Sequence, residues 1–169
     1  MKKIQITWDG PYSLEQLDNG DEHLSTSIGV YQIYGKHPIY GSNVLLYIGK
    51  TLKQSFSKRI KQEEHWWDNS DMRNVQIYTG RLFSKLQDEH WVDDITLAEQ
   101  ILINTHLPAH NSSNINTISK QEEILKKIKN TRVINWHYYR DLMPEVSGDI
   151  LLDENFIFDE SYILEWNCK

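Results

Sequence analysis

The sequence predicts an α+β fold in which a small, mostly antiparallel three-stranded sheet is flanked by helices, with additions at both ends. Two short apolar segments, residues 28–35 (IGVYQIYG) and 44–49 (VLLYIG), are separated by a stretch that contains Pro38, Gly41 and Asn43. Proline, glycine and asparagine favour turns, so the two segments are expected to form an antiparallel hairpin. A helix, a third strand and a second helix are predicted to follow in that order.

The first helix is predicted within residues 51–67 (TLKQSFSKRIKQEEHWW), because the apolar residues lie close to one helical stripe and the charges lie on the other side. The stripe consists of Leu52, Phe56, Ile60 and Trp67. Residues 72–80 (MRNVQIYTG) have the composition of a third strand.

The second helix is predicted within residues 93–107 (DDITLAEQILINTHL). Asp94 or Thr96 is expected to cap its start, and Pro108 follows its end. The residues predicted to face the core are Leu97, Ile101 and Leu102.

The two ends of the chain lie outside this pattern. We expect a central domain at residues 28–112, an N-terminal extension at 1–27, and a C-terminal extension at 113–169 that packs on or beside the domain. The regular segments predicted within the extensions are a strand at 2–8, a short helix at 120–130 and a strand at 132–139.

The composition is that of an ordinary globular protein with one domain. The chain has 169 residues, of which 39% are hydrophobic and 25% are charged. The single cysteine, Cys168, excludes an internal disulfide and a cysteine-based metal site. No apolar run approaches membrane-spanning length, and no long apolar segment follows the first lysines, so we expect a cytoplasmic protein.

The charge is distributed unevenly along the chain. The net charge is −6, yet the stretch from Lys36 to Lys61 contains six basic residues and no acidic one, whereas residues 141–169 contain eight acidic residues and one lysine. An acidic protein can still present a local basic face to phosphate. Because the basic stretch includes YIG (residues 47–49), we interpret it as a surface that faces nucleic acid, the alternative being ordinary solvated surface.

Several side chains match the requirements of phosphodiester hydrolysis. Such a reaction needs a positioned water, a cation that neutralises the phosphate, and commonly a divalent metal held by carboxylates. Arg59 lies beside the apolar stripe of the first helix, and Glu99 lies among apolar neighbours, where a carboxylate is costly without a ligand or partner. Tyr31 and Tyr47 lie on neighbouring strands, so their hydroxyls can converge on one pocket.

These residues also form an ordered set of short motifs. The set consists of GVY (29–31), YIG (47–49) followed by Lys50, an arginine on the next helix, a glutamate in AEQILI (98–103) and an asparagine in LPAHN (107–111). In this order they resemble the GIY-YIG nuclease family, which includes homing endonucleases, several restriction enzymes and the incision nuclease of nucleotide-excision repair. The resemblance covers residues 28–112, about half of the chain.

The resemblance implies a role for each residue on the two strands. Tyr31 would be the general base, or the group that positions the attacking water, and Tyr47 would orient the water or the phosphate. Gly49 would let the backbone approach the pocket closely. Lys50 would lower the pKa of Tyr31 or contact the nucleic-acid backbone.

The same resemblance implies the roles of the helical residues and the cofactor. Arg59 would bind the scissile phosphate, and Glu99 would be the sole protein carboxylate on one Mg²⁺ or Mn²⁺ ion. Asn111 would hold a pocket side chain or the phosphate through hydrogen bonds. Lys53 and Lys58, with Lys50, would contact DNA.

One position departs from the family pattern. Many members carry a histidine one turn after the helix arginine, whereas this chain has Glu63, which we expect to be an ion-pair partner of Arg59 or of a lysine. Either a distorted helix brings His65 into the site, or Tyr31 and Lys50 act without it. His106 and His110 are spaced like metal ligands, but Pro108 between them breaks the helix that would align them.

The resulting functional prediction is a metal-dependent DNA endonuclease of restriction type or a stand-alone nuclease. Residues 113–140 would help to hold DNA, and cutting both strands would need a homodimer or two sequential nicks. The alternatives are a non-catalytic nucleic-acid or protein binding module of the same fold, and an RNA or mobile-element nuclease of the same chemistry.

Overall fold

The computed structural model of the protein describes residues 1–19, 24–25, 27–63, 74–83, 90–111 and 122–148. The strands are β1 (Lys2–Tyr12), β2 (Gly29–His37), β3 (Gly41–Thr51), β4 (Gln76–Leu82), β5 (Thr131–His137) and β6 (Glu145–Ser147). The helices are α1 (Leu14–Asp18), α2 (Phe56–Lys61), α3 (Trp91–His106) and α4 (Glu122–Lys129). Within the described ranges, no helix is long and apolar enough to cross a membrane.

The strands form one six-stranded sheet in the order β3-β2-β4-β1-β5-β6. All neighbouring pairs are antiparallel except β1 and β5, which are parallel. The α+β class is confirmed, and the three strands predicted for the central domain are adjacent and antiparallel. The prediction of a three-stranded sheet is wrong, because both predicted extensions add strands to the same sheet.

The burial of β1 explains why it lies inside the sheet. Ile4, Ile6 and Trp8 are almost fully buried on one face, which requires a strand on each side and a helix beneath. Trp8 also donates its indole hydrogen bond to Asn135 Oδ1 of β5 over 2.9 Å. The N-terminal strand therefore connects the predicted central domain to the C-terminal strands.

The sheet has a hydrophobic core on each face. One core lies beneath α3 and includes Val30 and Tyr34 of β2, and we call this side the α3 face. The other lies beneath α2 and includes Tyr31 and Ile33, and we call this side the α2 face. Because both faces of β2 are covered, its first seven residues are buried without alternation.

Helix α2 is shorter than predicted. It begins after Ser55, whose hydroxyl accepts the backbone hydrogen bond of Lys58, and only Phe56 and Ile60 of the predicted stripe lie within it, both fully buried. Leu52 lies in the preceding loop. The rest of the predicted stripe falls on Trp67, which lies outside the described residues.

Helix α3 has the predicted core face but a different start. The predicted core residues Leu97, Ile101 and Leu102 are buried. The prediction of Asp94 or Thr96 as the cap is wrong, because the helix begins at Trp91 and its N-cap is His90, four residues before Asp94. Asp94 lies instead in the first turn, where a negative charge stabilises the helix dipole.

The segment after α3 covers the outer edge of the sheet. Leu107 adopts a left-handed conformation with φ of 45°, which ends the helix before Pro108. Ala109 and His110 then donate backbone hydrogen bonds to the carbonyls of Leu45 and Leu46 over 3.1 and 2.8 Å. Strand β3 therefore has hydrogen-bond partners on both sides, β2 on one and residues 109–110 on the other. Its last residues are fixed next to α2 and α3.

Candidate active site

A pocket of about 590 Å³ lies where the end of β3 meets α2 and α3. It brings together most of the residues that the sequence singled out. The predicted site residues that line it are Tyr47, Lys50, Lys53, Lys58, Arg59 and Glu99. Five of these six residues carry a charge, and four of those five are cationic, so the pocket is suited to an anionic ligand.

Glu99 provides the negative charge of this pocket. It is 6% exposed, and its carboxylate forms an ion pair with the Lys50 ammonium. Burial raises the pKa of Glu99 above its ordinary value, while the positive charges of Lys50 and Arg59 oppose that rise. A buried carboxylate at this position has a higher free energy when ionised than it would have in water, and a further cation would lower it.

Arg59 extends from α2 into the pocket, and an ion pair fixes its guanidinium there. Its guanidinium forms an ion pair with Glu63, four residues further along the chain, and Glu63 is 7% exposed. The prediction that Glu63 is an ion-pair partner of Arg59 is confirmed. His65 lies outside the described residues.

Tyr31 lies one layer deeper than the pocket lining. Its side chain is fully buried on the α2 face, and its ring centroid is 6.0 Å from that of Tyr47. Its hydroxyl is buried with no well-formed hydrogen bond among the described residues. Of the two tyrosines, Tyr47 therefore contacts the open pocket and Tyr31 supports it from within.

Gly49 makes room for both tyrosines. A Cβ atom at this position would lie 2.5 Å from Cζ and Oη of Tyr31 and 2.6 Å from Cε1 of Tyr47. These distances are far below van der Waals contact, so any side chain would displace the rings. The glycine in YIG is required for packing against the tyrosine hydroxyl of GVY.

Both tyrosines are neutral phenols in this environment at neutral pH. Burial raises the pKa of Tyr47 to about 12, and it raises the pKa of Tyr31 further. The positive charge that opposes the rise for Tyr31 is that of Arg59. The expectation that Lys50 performs this task is therefore wrong, because Lys50 projects from β3 on the other face and pairs with Glu99.

Asn111 fixes the backbone of β3 rather than a pocket side chain. Its Oδ1 accepts a hydrogen bond from Ile48 N over 2.9 Å, and its Nδ2 donates to Ile48 O over 2.8 Å. Asn111 is 1% exposed, so it does not present its amide to a phosphate. The predicted direct contact is corrected, and the role of Asn111 is to hold the residue between Tyr47 and Gly49.

The spaced histidines do not form a metal site. His106 Nδ1 lies 2.9 Å from Leu102 O, and His106 Nε2 accepts the backbone hydrogen bond of Met143, so both ring nitrogens are occupied. His110 contacts His37 instead, with ring centroids 5.4 Å apart and ring planes tilted by 52°. Among the described residues, no group of three or more His, Cys, Asp or Glu side chains is placed to hold a metal ion.

Three polar residues of the pocket lining were not identified from the sequence, namely Thr51, Gln54 and Gln100. The Thr51 hydroxyl donates a hydrogen bond to the Gln54 carbonyl, which closes the loop between β3 and α2. Gln100 directly follows Glu99 in the sequence, and this adjacency could have predicted that it lies at the pocket. The short loop after YIG folds back on itself and so places polar side chains at the pocket. The residue types in the loop do not by themselves predict this path of the backbone.

Comparison of the chain with protein-family models, with curated proteins and with solved structures found no match.

Proposed function

We propose that this protein is a divalent-metal-dependent endonuclease that hydrolyses DNA phosphodiester bonds, with a restriction-type role and chemistry similar to that of GIY-YIG nucleases. The observation that carries the proposal is the convergence of Arg59, Glu99 and Tyr47 on one pocket from three separate elements. Tyr31 and Gly49 lie next to this pocket, where the glycine of YIG packs against the tyrosine of GVY.

The donor set of the pocket fits a hard divalent cation. Glu99 is the carboxylate that lines the pocket, and Mg²⁺ commonly binds through one or two carboxylates while it keeps several waters and substrate oxygens. Such an ion would neutralise charge on the phosphate and activate a bound water. Among the described residues, the pocket lining contains no nitrogen or sulfur ligand set of the kind that zinc prefers.

The residues of the chain bind and orient the phosphate. Arg59 donates hydrogen bonds to the phosphate oxygens after it exchanges part of its contact with Glu63. The positive charge of Lys50 opposes the rise that burial causes in the pKa of Glu99. Lys53 and Lys58, both exposed at the pocket, attract the flanking backbone.

The two tyrosines act mainly as hydrogen-bond groups. Because burial raises the pKa of both phenols, each carries its proton at neutral pH and can donate a hydrogen bond to a water or a phosphate oxygen. Tyr47 performs this at the pocket surface, and Tyr31 fixes the ring of Tyr47 from behind. The full burial of Tyr31 and its raised pKa argue against a general-base role, so the proposed role of Tyr31 is to hold Tyr47 in place.

The test is cleavage of supercoiled and linear plasmid DNA with Mg²⁺ or Mn²⁺, with wild type compared to Glu99→Gln. We expect discrete fragments from the wild type and a loss of at least about 100-fold in rate for the variant, since one preorganised electrostatic group is worth about that factor. Glu123→Gln is the matched control, because Glu123 is exposed and lies 3.8 Å from Lys127 on α4.

Each outcome separates the candidate functions. Nicking or smearing that disappears in Glu99→Gln supports the nuclease but excludes the restriction-type role. Cleavage of only RNA, or of only branched DNA, would support a nuclease but with that substrate in place of duplex DNA. Intact nucleic acid in every reaction would overturn the proposal and favour a binding module.

A further inference from the structure

The α2 face of the sheet continues beyond the pocket onto β1, β4 and β5, where it is partly exposed. Thr7 of β1 pairs with Arg81 of β4 on one side and with Trp136 of β5 on the other. Paired residues on neighbouring strands share a face, so these three side chains form one row across the sheet. The buried residues Ile6 and Trp8 alternate with this row and point to the opposite face.

Two aromatic side chains are exposed on this surface. Trp136 is 51% exposed and Phe83 is 80% exposed. Phe83 donates a backbone hydrogen bond to Gln5 O, which continues the pairing of β4 with β1, and it is two residues from Arg81. It therefore lies on the same face as Arg81, one row away from Trp136.

The charges around the aromatic rings are mostly positive. Lys3 is exposed on the same face of β1 as Thr7, and Arg132 is its partner on β5. Arg81 pairs with Asp9 over 2.9 Å, and Arg132 pairs with Glu145 over 2.8 Å. Counted over these described residues alone, three cations and two carboxylates give a net positive charge. Both arginine side chains are exposed enough to exchange a carboxylate for a phosphate.

This surface and Tyr31 of the candidate active site lie on the same face of the sheet, although Thr79 between them is buried. Tyr31 pairs with Thr79, and Thr79 pairs with Asp9, so the α2 face runs from the GVY tyrosine across β4 to β1. Trp136 lies three strands away from Tyr31 and two residues along, which corresponds to about 14 Å across the sheet and about 7 Å along it. Tyr31 and Thr79 are fully buried, so a nucleic-acid strand would pass from the pocket to the aromatic side chains over the residues that cover this part of the sheet.

We propose that the exposed part of the α2 face, defined by Lys3, Arg81, Phe83, Arg132 and Trp136, binds single-stranded nucleic acid through stacking of unpaired bases. An exposed sheet that carries aromatic rings among basic side chains is a general solution for binding single strands, because every base has a face that stacks. This inference deepens the proposed nuclease function by assigning a substrate class, namely nucleic acid with an unpaired stretch beside the cleavage site.

The test measures binding without cleavage. Fluorescence anisotropy of a labelled single strand and of the matching duplex is recorded in EDTA, with Glu99→Gln as the parent protein and Trp136→Ala added to it. We expect Trp136→Ala to weaken single-strand binding by roughly tenfold or more and to leave duplex binding nearly unchanged. Trp136→Phe should keep most of the affinity.

The control is Tyr40→Ala, which removes a 68% exposed aromatic residue from the turn between β2 and β3. Equal effects of Trp136→Ala and Tyr40→Ala, or an equal loss for single strand and duplex, would overturn the inference. A change of oligomeric state in Trp136→Ala, measured by light scattering, would assign the surface to a second copy of the chain instead. Because no cleavage is needed, weak binding and absent nuclease activity are separate results.

Discussion

At the scale of single residues, Glu99 shows a conflict between stability and function. Its carboxylate is buried, and its pKa is raised despite the ion pair with Lys50. A raised pKa means that the folded state binds the proton more tightly than the unfolded state does. The ionised carboxylate therefore lowers the stability of the protein at neutral pH, a cost that the proposed binding of a cation would offset.

We predict that Glu99→Gln stabilises the protein while it removes cleavage. At pH 7 the variant lacks the buried charge, so its melting temperature should exceed that of the wild type by about 2–4 °C for each kcal/mol gained. The stabilising effect of protonation is complete below the unfolded pKa of Glu99 and is lost as pH rises through the folded pKa. The difference between variant and wild type should therefore shrink as pH falls.

The measurement is thermal unfolding followed by circular dichroism over a series of pH values. Glu123→Gln on the surface of α4 is the control and should follow the wild type. A variant less stable than the wild type at pH 7 would show that Glu99 contributes more through its contact with Lys50 than it loses through burial.

At the scale of elements, strand β3 depends on the segment that follows α3. Ala109, His110 and Asn111 together supply four hydrogen bonds to the backbone of residues 45–48. This edge would otherwise be unpaired, and an unpaired edge frays or binds other strands. Tyr47, Gly49 and Lys50 all lie at or beside the bonded stretch, so the geometry of the pocket depends on it.

We predict that Asn111→Ala destabilises the protein by about 2 kcal/mol, because it leaves a buried N–H and a buried C=O of Ile48 without partners. Urea unfolding measures the free-energy change, and amide hydrogen exchange should be faster at Ile48 than elsewhere in β3. Asn104→Ala is the matched control, since Asn104 bonds only to the Gln100 carbonyl within α3 in the described contacts. Equal protection of Ile48 in both variants would contradict this role for Asn111.

At the scale of the whole molecule, β1 joins the two halves of the sheet. It pairs with β4 on one side and with β5 on the other. The predicted boundary between residues 27 and 28 therefore does not separate two independently hydrogen-bonded sheets. Its buried residues belong to the same core as those of β2 and α3. The sheet is therefore expected to fold and unfold as one unit.

We predict that a chain that starts at residue 13 does not fold, because β4 and β5 lose their common neighbour and the core loses Trp8. Circular dichroism should show no cooperative thermal transition for this chain. Asn135→Ala, which removes the partner of the Trp8 indole and the donor to the Met143 carbonyl, should stay folded and lose about 1–3 kcal/mol. A cooperative transition in the shortened chain would instead support an independent domain at residues 28–112.

The sequence predicted local features of the molecule better than distant pairings. Strands β2, β3 and β4 and the core face of α3 follow from apolar spacing and turn residues. The segments that became β1 and β5 were identified as strands, but their parallel pairing joins residues far apart in the sequence, such as Trp8 and His137, and leaves no local signal. Arg59 and Glu99 were placed in one site by motif order, whereas the backbone contact of Asn111 depends on the path of the chain after Pro108.

The contact of Gly49 with Tyr31 links two positions that are paired across β2 and β3. A larger residue at position 49 can be accommodated only if position 31 becomes smaller, so the two sites should change together in evolution. Tyr31 is fully buried in the core of the α2 face, so packing alone would favour the pair even in a descendant without the proposed chemistry. The glycine and the tyrosine are therefore expected together in any relative that keeps this packing, whether or not it cleaves nucleic acid.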